Sequence, residues 1–300
     1  MNNNIITLSE KQLRKLQLEQ LEIMKEVDKI CRKNKIPYYI TGGTMLGAIR
    51  HKGFIPWDDD IDVSMLRKDY EKFCEVCEND LDKTRFFLQT WDTDKYYPYQ
   101  YGRLRRNDTL YIRPGHENSK HHNGINIDLF PVDNVPENYM LCVIYKMGCE
   151  LFRKMLYSPV GAVRSTSLVQ KIVYKCLSSV GKDKTKSLFN SWINFFSKFP
   201  SSRVDAVGFA YRLSSADKKK LGKENYYEMY HGMKREKVTD LTEYSFEGAK
   251  FYGVRDYDYY LRTLYGDYMT LPPMEKRTGE HKASIIKFLG QEADRNEKNR

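Results

Sequence analysis

Asp60 and Asp62 stand in the run Asp60-Ile61-Asp62-Val63-Ser64-Met65, where polar and apolar residues alternate with the two-residue period of a strand. Successive strand side chains point to opposite faces, so the two carboxylates project from one side, close together. Like charges so placed repel. A divalent cation relieves that repulsion, and Mg²⁺, or Mn²⁺ in its place, suits an all-oxygen site that also engages substrate phosphates. Asp58 and Asp59 come just before the pair, so an acidic turn ahead of a strand is the competing reading of the same residues.

Gly42-Gly43-Thr44 lies between a strand pattern and a short helix pattern. Glycines there permit close backbone approach, and a helix N-terminus offers amides to a phosphate; a plain turn is the alternative. A third carboxylate, Asp128, falls in Gly124-Ile125-Asn126-Ile127-Asp128-Leu129-Phe130, a strand whose Ile127 and Leu129 face the other way. Three acids can hold two cations, or supply one base beside a metal pair, and either arrangement favours in-line displacement at phosphorus. Asp133 is a weaker member because it follows Pro131 in what reads as a turn. Arg50 and Lys52, with Arg103, Arg105 and Arg106 on a nearby strand, could neutralise a diphosphate, or could be solvent-facing charge. Trp57 could stack on a base or pack on its own loop.

These groups need a frame. Ser9 and Gln12 form a capping box ahead of apolar positions at helical spacing through Cys31, which predicts a long first helix. Residues 37–41 read as a strand, 44–51 as a short helix, and 60–65 as the strand of the acids. A helix carrying Tyr70, Phe73, Cys74 and Cys77 follows, then strands at 86–89, 99–105, 110–113 and 125–130. Amphipathic helical stretches occupy 140–156, 168–177 and 188–199. The spacing predicts an α/β fold in three parts: a catalytic core over 1–134 with a small mixed sheet and flanking helices, a helical elaboration over 135–238, and a C-terminal segment over 239–300 that completes the site, with a polar tail after Gly290 that frays.

The chain has 300 residues, 41% of them hydrophobic, enough for a substantial core. No apolar stretch approaches the ~20 residues that cross a bilayer, and the start shows no export pattern, which points to a cytoplasmic protein with reduced cysteines. Cys74 and Cys77 read as packing residues, and His116, His121 and His122 as loop histidines rather than zinc ligands. A net charge of +10 favours a polyanionic neighbour. That neighbour could be a phosphate-rich substrate or an anionic membrane surface; no motif for reading nucleic acid accompanies the charge, so no nucleic acid is expected.

The run GGTMLGAIRHKGFIPWDDDIDVSM at 42–65 resembles the first motif of the LicD family, the phosphocholine transferases that decorate bacterial lipopolysaccharide, teichoic acid or capsule. GINIDLFPVDNVP at 124–136 resembles the second, and FEG at 246 with YGDYMTLPPMEKRTGEH at 265–281 the last. The resemblance implies a nucleotidyltransferase-like fold, divalent cation dependence and a CDP-linked donor, commonly CDP-choline and in related branches CDP-ribitol. Phosphocholine then passes to a sugar hydroxyl of a saccharide or lipid-linked glycan acceptor at the inner face of the cell membrane, and CMP leaves. Gly42, Gly43, Arg50, Trp57, Asp58, Asp59, Asp60 and Asp62 match the first motif, and the metal role is carried to Asp60, Asp62 and Asp128. Thr44, Lys52 and Arg103 join Gly42, Gly43, Arg50 and Trp57 as candidate substrate contacts, as does His281, with Glu275 and Arg277 near it in the last motif. Tyr257, Tyr259, Tyr260, Tyr265 and Tyr268 could cage a choline, or pack as core. Two other classes stay open: a nucleotidyltransferase that adds NMP to a small molecule, protein or RNA and releases pyrophosphate, and a non-enzymatic nucleic-acid-binding protein.

Overall fold

The structure is a computed structural model and describes residues 6–206, 215–279, 282–291 and 294–295. Helix α1 (Glu10–Asn34) starts at the expected capping box, with the Gln12 amide donating to Ser9 Oγ at 3.3 Å and the Ser9 amide to Gln12 Oε1 at 3.0 Å. Strand β1 (Tyr39–Ile40) leads through Thr41 into α2 (Gly42–Arg50), and β2 (Asp62–Leu66) runs directly into α3 (Arg67–Asp80). Strands β3 (Phe86–Gln89), β4 (Gly102–Arg106), β5 (Leu110–Ile112) and β6 (Asn126–Val135) follow. Then come α4 (Tyr139–Arg164), α5 (Leu168–Ser178), α6 (Lys182–Phe196), β7 (Arg203–Ala206) and α7 (Ser215–His231), the last interrupted at Gly222. Strand β8 (Met233–Lys234), α8 (Arg235–Thr239), the hairpin β9 (Leu241–Phe246) and β10 (Ala249–Val254), α9 (Tyr257–Tyr265), β11 (Ile285–Lys287) and β12 (Asp294–Arg295) complete the described chain. The polar tail lies largely outside the described residues.

This is a mixed α/β fold. Its main sheet runs β1-β2-β6-β4-β3, with β7 beside the far half of β6 and β8 beside β7. Strands β2 and β6 are parallel; their neighbours are antiparallel. The sheet's back face, with Val63, Met65, Ile127 and Leu129, is buried in one core with Leu16, Ile23, Val27 and Ile30 of α1 and Phe73 and Cys77 of α3. A second, smaller core joins Cys142, Tyr145, Cys149 and Phe152 of α4 to Phe189, Ile193 and Phe196 of α6. All six cysteines are free thiols.

Several boundaries differ from the sequence reading: β2 begins at Asp62 instead of residue 60, α4 runs on to Arg164 instead of 156, and α6 spans Lys182–Phe196 instead of 188–199. The strand expected from residue 99 starts at Gly102, and β6 continues through Pro131 to Val135 instead of turning. Pro131 has no amide hydrogen to offer a ladder. It sits in the gap between Leu129, opposite Gly102 on β4, and Val132, opposite Ala206 on β7. Asp133 is therefore inside the sheet, buried, where Arg67 donates to its two oxygens at 2.9 and 2.7 Å. No helix among the described residues is long and apolar enough to cross a membrane.

Candidate active site

Strand alternation decides which side chains leave the core. On β2 the residues opposite Val63 and Met65 are Asp62 and Ser64; on β6 those opposite Ile127 and Leu129 are Asp128 and Phe130. All four line one cleft of about 410 Å³, and the parallel register sets Asp62 directly beside Asp128. Asp60 lies in the irregular approach to β2 rather than on the strand, yet it lines the same cleft, as does Asp58. Asp59 is buried and lies outside the lining, where the Tyr111 hydroxyl donates to Oδ2 at 3.4 Å. Among the described residues, Asp58, Asp59 and Asp60 each bring one oxygen within 4.8 Å of the others.

These carboxylates are crowded. Burial first, then the charges of Asp60, Asp128 and Asp58, push the Asp62 carboxyl well above the usual aspartate range, against a smaller opposing pull from Arg113. Arg113 lines the cleft as well, just past the end of β5. The site thus has the donor set of a hard-cation centre: oxygens only, mutually repelling, at the wall of a roomy cleft.

The glycine turn stands against the acids. Gly42 has φ 56°, a conformation that a β-carbon disfavours, and a β-carbon there would lie 3.5 Å from Asp62 Oδ2. One on Gly43 would fall 2.9 Å from Asp58 Oδ2. The buried Thr44 hydroxyl accepts from the Asp62 amide at 2.9 Å, which ties α2 to the start of β2. From α9, 218 residues away, the Tyr260 hydroxyl accepts the Gly42 amide at 3.1 Å and shares a short hydrogen bond with Thr41 Oγ1. Burial pushes this phenol up to about 12, so it is neutral.

Other expected contacts are placed elsewhere. Arg50 donates to the Tyr268 carbonyl at 2.8 Å and to the His51 ring at 2.9 Å, and the Lys52 carbonyl accepts from the Glu247 amide at 3.0 Å. Trp57 packs under the Arg277 guanidinium, 5.4 Å from its ring centre. None of the three lines the cleft. His281 lies outside the described residues. Arg103 is buried behind Asp128, donating from Nε at 2.7 Å, with Tyr97, Tyr99 and Tyr101 around its guanidinium. Burial opposes its charge, but Asp128 and these tyrosines hold its pKa well above the ordinary value. Arg105 is spent on Gln89 and the Gly124 carbonyl. Beside them His116 and His121 meet at 3.1 Å, and burial pushes His116 down to about 3 and His122 to about 4.

The cleft's remaining wall is aromatic and apolar. Tyr39, Tyr101, Phe130, Tyr260 and Tyr265 line it, joined by Met229 and Met233. Tyr101 and Phe130 pack with ring centres 4.7 Å apart, Tyr39 and Tyr260 at 6.4 Å. Of the five C-terminal tyrosines singled out in the sequence, only Tyr260 and Tyr265 reach the cleft; Tyr259 and Tyr268 give their hydroxyls to Glu228 and Asp258. Sequence reasoning missed Arg113, Tyr39 and Tyr101 as cleft residues; the end of a predicted strand was the only sign of Arg113.

Comparison with known proteins bears on this site. The model of the LicD/FKTN/FKRP nucleotidyltransferase domain matches residues 35–163. The chain is 30% identical over 275 residues to the lipopolysaccharide cholinephosphotransferase LicD of Haemophilus influenzae, covering 90% of this chain and 96% of that one. The chain belongs to the LicD family. Two uncharacterized proteins are similar over a shorter stretch: one of Rickettsia prowazekii, 40% identical over 21% of this chain and 26% of its own, and one of Rickettsia typhi, 35% identical over 24% and 25%. The LicD domain match takes in the glycine turn, Asp58 to Asp62 and Asp128, whereas Tyr260 and Tyr265 lie beyond it on α9.

Proposed function

We propose that this LicD-family chain is a transferase that moves phosphocholine, or a related phospho-alcohol, from a CDP-linked donor to a sugar hydroxyl of a cell-surface glycan precursor, releasing CMP. The observation that carries the reading is that Asp58, Asp60, Asp62 and Asp128 share one cleft with Tyr39, Tyr101, Phe130, Tyr260 and Tyr265. A diphosphate donor needs its charge offset, and a quaternary ammonium group is attracted to aromatic faces. Similarity to the Haemophilus influenzae enzyme supports phosphocholine as the group and a lipopolysaccharide-type saccharide as the acceptor.

Asp60, Asp62 and Asp128 would hold the divalent cation, Mg²⁺ or Mn²⁺, with Asp58 beside them. Bound there, it would offset charge on the phosphates as the attacking and leaving oxygens exchange. The chain's own residues do the rest. The bare backbone of Gly42 and Gly43 leaves room for a phosphate next to the acids, and Tyr260 fixes that backbone through the Gly42 amide. Arg103 orients Asp128 from behind instead of touching donor. Among the described residues, Arg113 is the cation lining the cleft, and it can face the leaving phosphate. In this reading residues 1–134 and 239–300 form the catalytic unit, and the elaboration over 135–238 lends it one wall, through Asp205, Met229 and Met233.

Purified protein incubated with CDP-choline, Mg²⁺ and a saccharide acceptor should release CMP in step with choline phosphate appearing on the acceptor, and chelation should stop both. Pyrophosphate released from CTP, without CMP from CDP-choline, would assign the nucleotidyltransferase reaction instead.

A further inference from the structure

We infer that the outer faces of α4 and α5 form a docking surface for an anionic lipid bilayer. The inference deepens the acceptor side of the proposed function and rests on that reading only for why such a surface is useful. Met140, Ile144, Met147 and Leu151 recur at the three- and four-residue steps of one helical face, and all four are exposed, Met147 to 68%. The opposite face of α4, with Cys142, Tyr145, Cys149 and Phe152, is the one packed in the second core. A helix apolar on two sides has two partners to satisfy, and the core supplies one.

Farther along the bare stripe Ser158 and Gly161 are buried, and a β-carbon on Gly161 would meet the Tyr174 ring of α5 at 2.8 Å. Helix α5 therefore covers the second half of the stripe and leaves the first half open. It buries none of its own residues. Leu168, Val169, Ile172 and Val173 face outward, 50 to 73% exposed, with Lys171 and Lys175 exposed on the same helix.

Charge selects the occupant. Residues 139–199 carry ten lysines and arginines against two acids, Glu150 and Asp183, leaving +8 of the chain's +10. Two of the ten, Lys146 and Lys186, are paired with Asp205 and Asp92 outside the segment, so a second copy would still bring +6 against +6, whereas an anionic leaflet attracts such a surface at about 1 kcal/mol per basic residue near it. Apolar side chains rimmed by lysines on a helix too polar to span are the pattern of a helix lying in the interface plane. The surface is also coupled to the cleft: Lys146 of α4, next to Met147, donates to Asp205 at 2.6 Å, and Asp205 lines the cleft. A chain docked this way holds its cleft wall close to the leaflet that would carry a lipid-linked acceptor.

Vesicle flotation tests the inference without nucleotide or acceptor, so it can fail while CMP release stands, and the reverse. The full chain should float with phosphatidylcholine vesicles containing about one-third phosphatidylglycerol and bind pure phosphatidylcholine at least about tenfold more weakly. Met147→Glu and Ile172→Glu replace exposed side chains, so both should fold, with unchanged circular dichroism, and each should lower partitioning onto the anionic vesicles about tenfold or more. Wild-type protein left behind by anionic vesicles would overturn the proposal. So would variants that float as well as wild type, or a wild-type dimer in gel filtration that these variants dissolve, since the surface would then belong to a second copy.

Discussion

The sheet unit turns charge inward and the helical elaboration turns apolar surface outward. Around β2 and β6, aspartates and arginines sit at or under the surface of a cleft, three of the aspartates held by a basic neighbour: Asp128 by Arg103, Asp133 by Arg67, Asp205 by Lys146. Along α4 and α5, methionine, isoleucine, leucine and valine meet solvent while basic residues surround them. Both inversions cost stability in an isolated chain, the first through desolvated charge and the second through exposed apolar area. The difference between them lies in the ligand that removes the cost. In the proposed reading a cation and a phosphate would relieve the buried acids, and a lipid surface the bare apolar helices.

The largest effect should come from removing an inward charge. Asp60→Asn and Asp62→Asn should each lower transfer by roughly three orders of magnitude with the fold intact, as measured by CMP release beside circular dichroism. A variant within a few-fold of wild type would show that the acids serve packing or solubility, and the two regions would then differ only in composition. Next in size is Gly43→Val. Its new β-carbon falls 2.9 Å from Asp58 Oδ2 and occupies the gap between turn and acids, so CDP-choline affinity by calorimetry should fall at least about tenfold while thermal stability changes little.

A smaller effect concerns the aromatic wall. Cation–π contact contributes ~0.5–2 kcal/mol, so CDP-choline should compete a few-fold to about thirtyfold better than CDP-glycerol or CDP-ribitol for CMP release. A clear polyol preference would reassign the cleft's tyrosines to hydroxyl recognition and leave the metal chemistry standing.

The smallest effects are in stability. Asp62 has its carboxyl pKa raised in the fold, so its ionisation at neutral pH opposes folding, and the cost is relieved as pH falls through that raised value. Asp62→Asn should therefore raise Tm by about a few degrees at neutral pH in the absence of metal. The histidines beside Arg103 and Arg105 carry the opposite sign. His116 and His122 are held neutral, at about 3 and about 4, against an ordinary value of about 6.5. Below about pH 6.5 the unfolded chain takes up protons that the fold refuses, and stability declines toward those native values. His122→Asn should flatten that decline in a series of melts from pH 7 to about 4.

Much of the architecture was legible because its causes are local. The capping box at Ser9 and Gln12 depends on residues three apart, and the two-residue alternation that aims Asp62 and Asp128 out of the core is a property of any strand. What escaped is decided by distant neighbours. Pro131 reads as a turn until one sees that β4 stops and β7 begins on either side of it. Arg103, Arg50 and Lys52 have the right charge for a diphosphate, but only the fold reveals that Asp128 and the C-terminal segment engage the first two and that the hairpin holds the third by its backbone. Amphipathic periodicity marks two apolar stripes on α4 without saying which one stays bare, since that depends on where α5 folds back. Tyr260 and Tyr265 are two tyrosines among 23, and only tertiary contact separates them from the rest.

The hydrogen bond from the Gly42 amide to Tyr260 has a consequence in time. At synthesis rates of 5–20 residues per second, the 218 residues between them separate their emergence from the ribosome by roughly 10 to 40 seconds. For that interval the nascent chain carries its acids and its glycine turn without the phenol that fixes them and without the aromatic face on α9. If the proposed donor is right, a chain that has not yet made α9, or has lost it, would hold a CDP-linked donor poorly, and competence would wait for that helix.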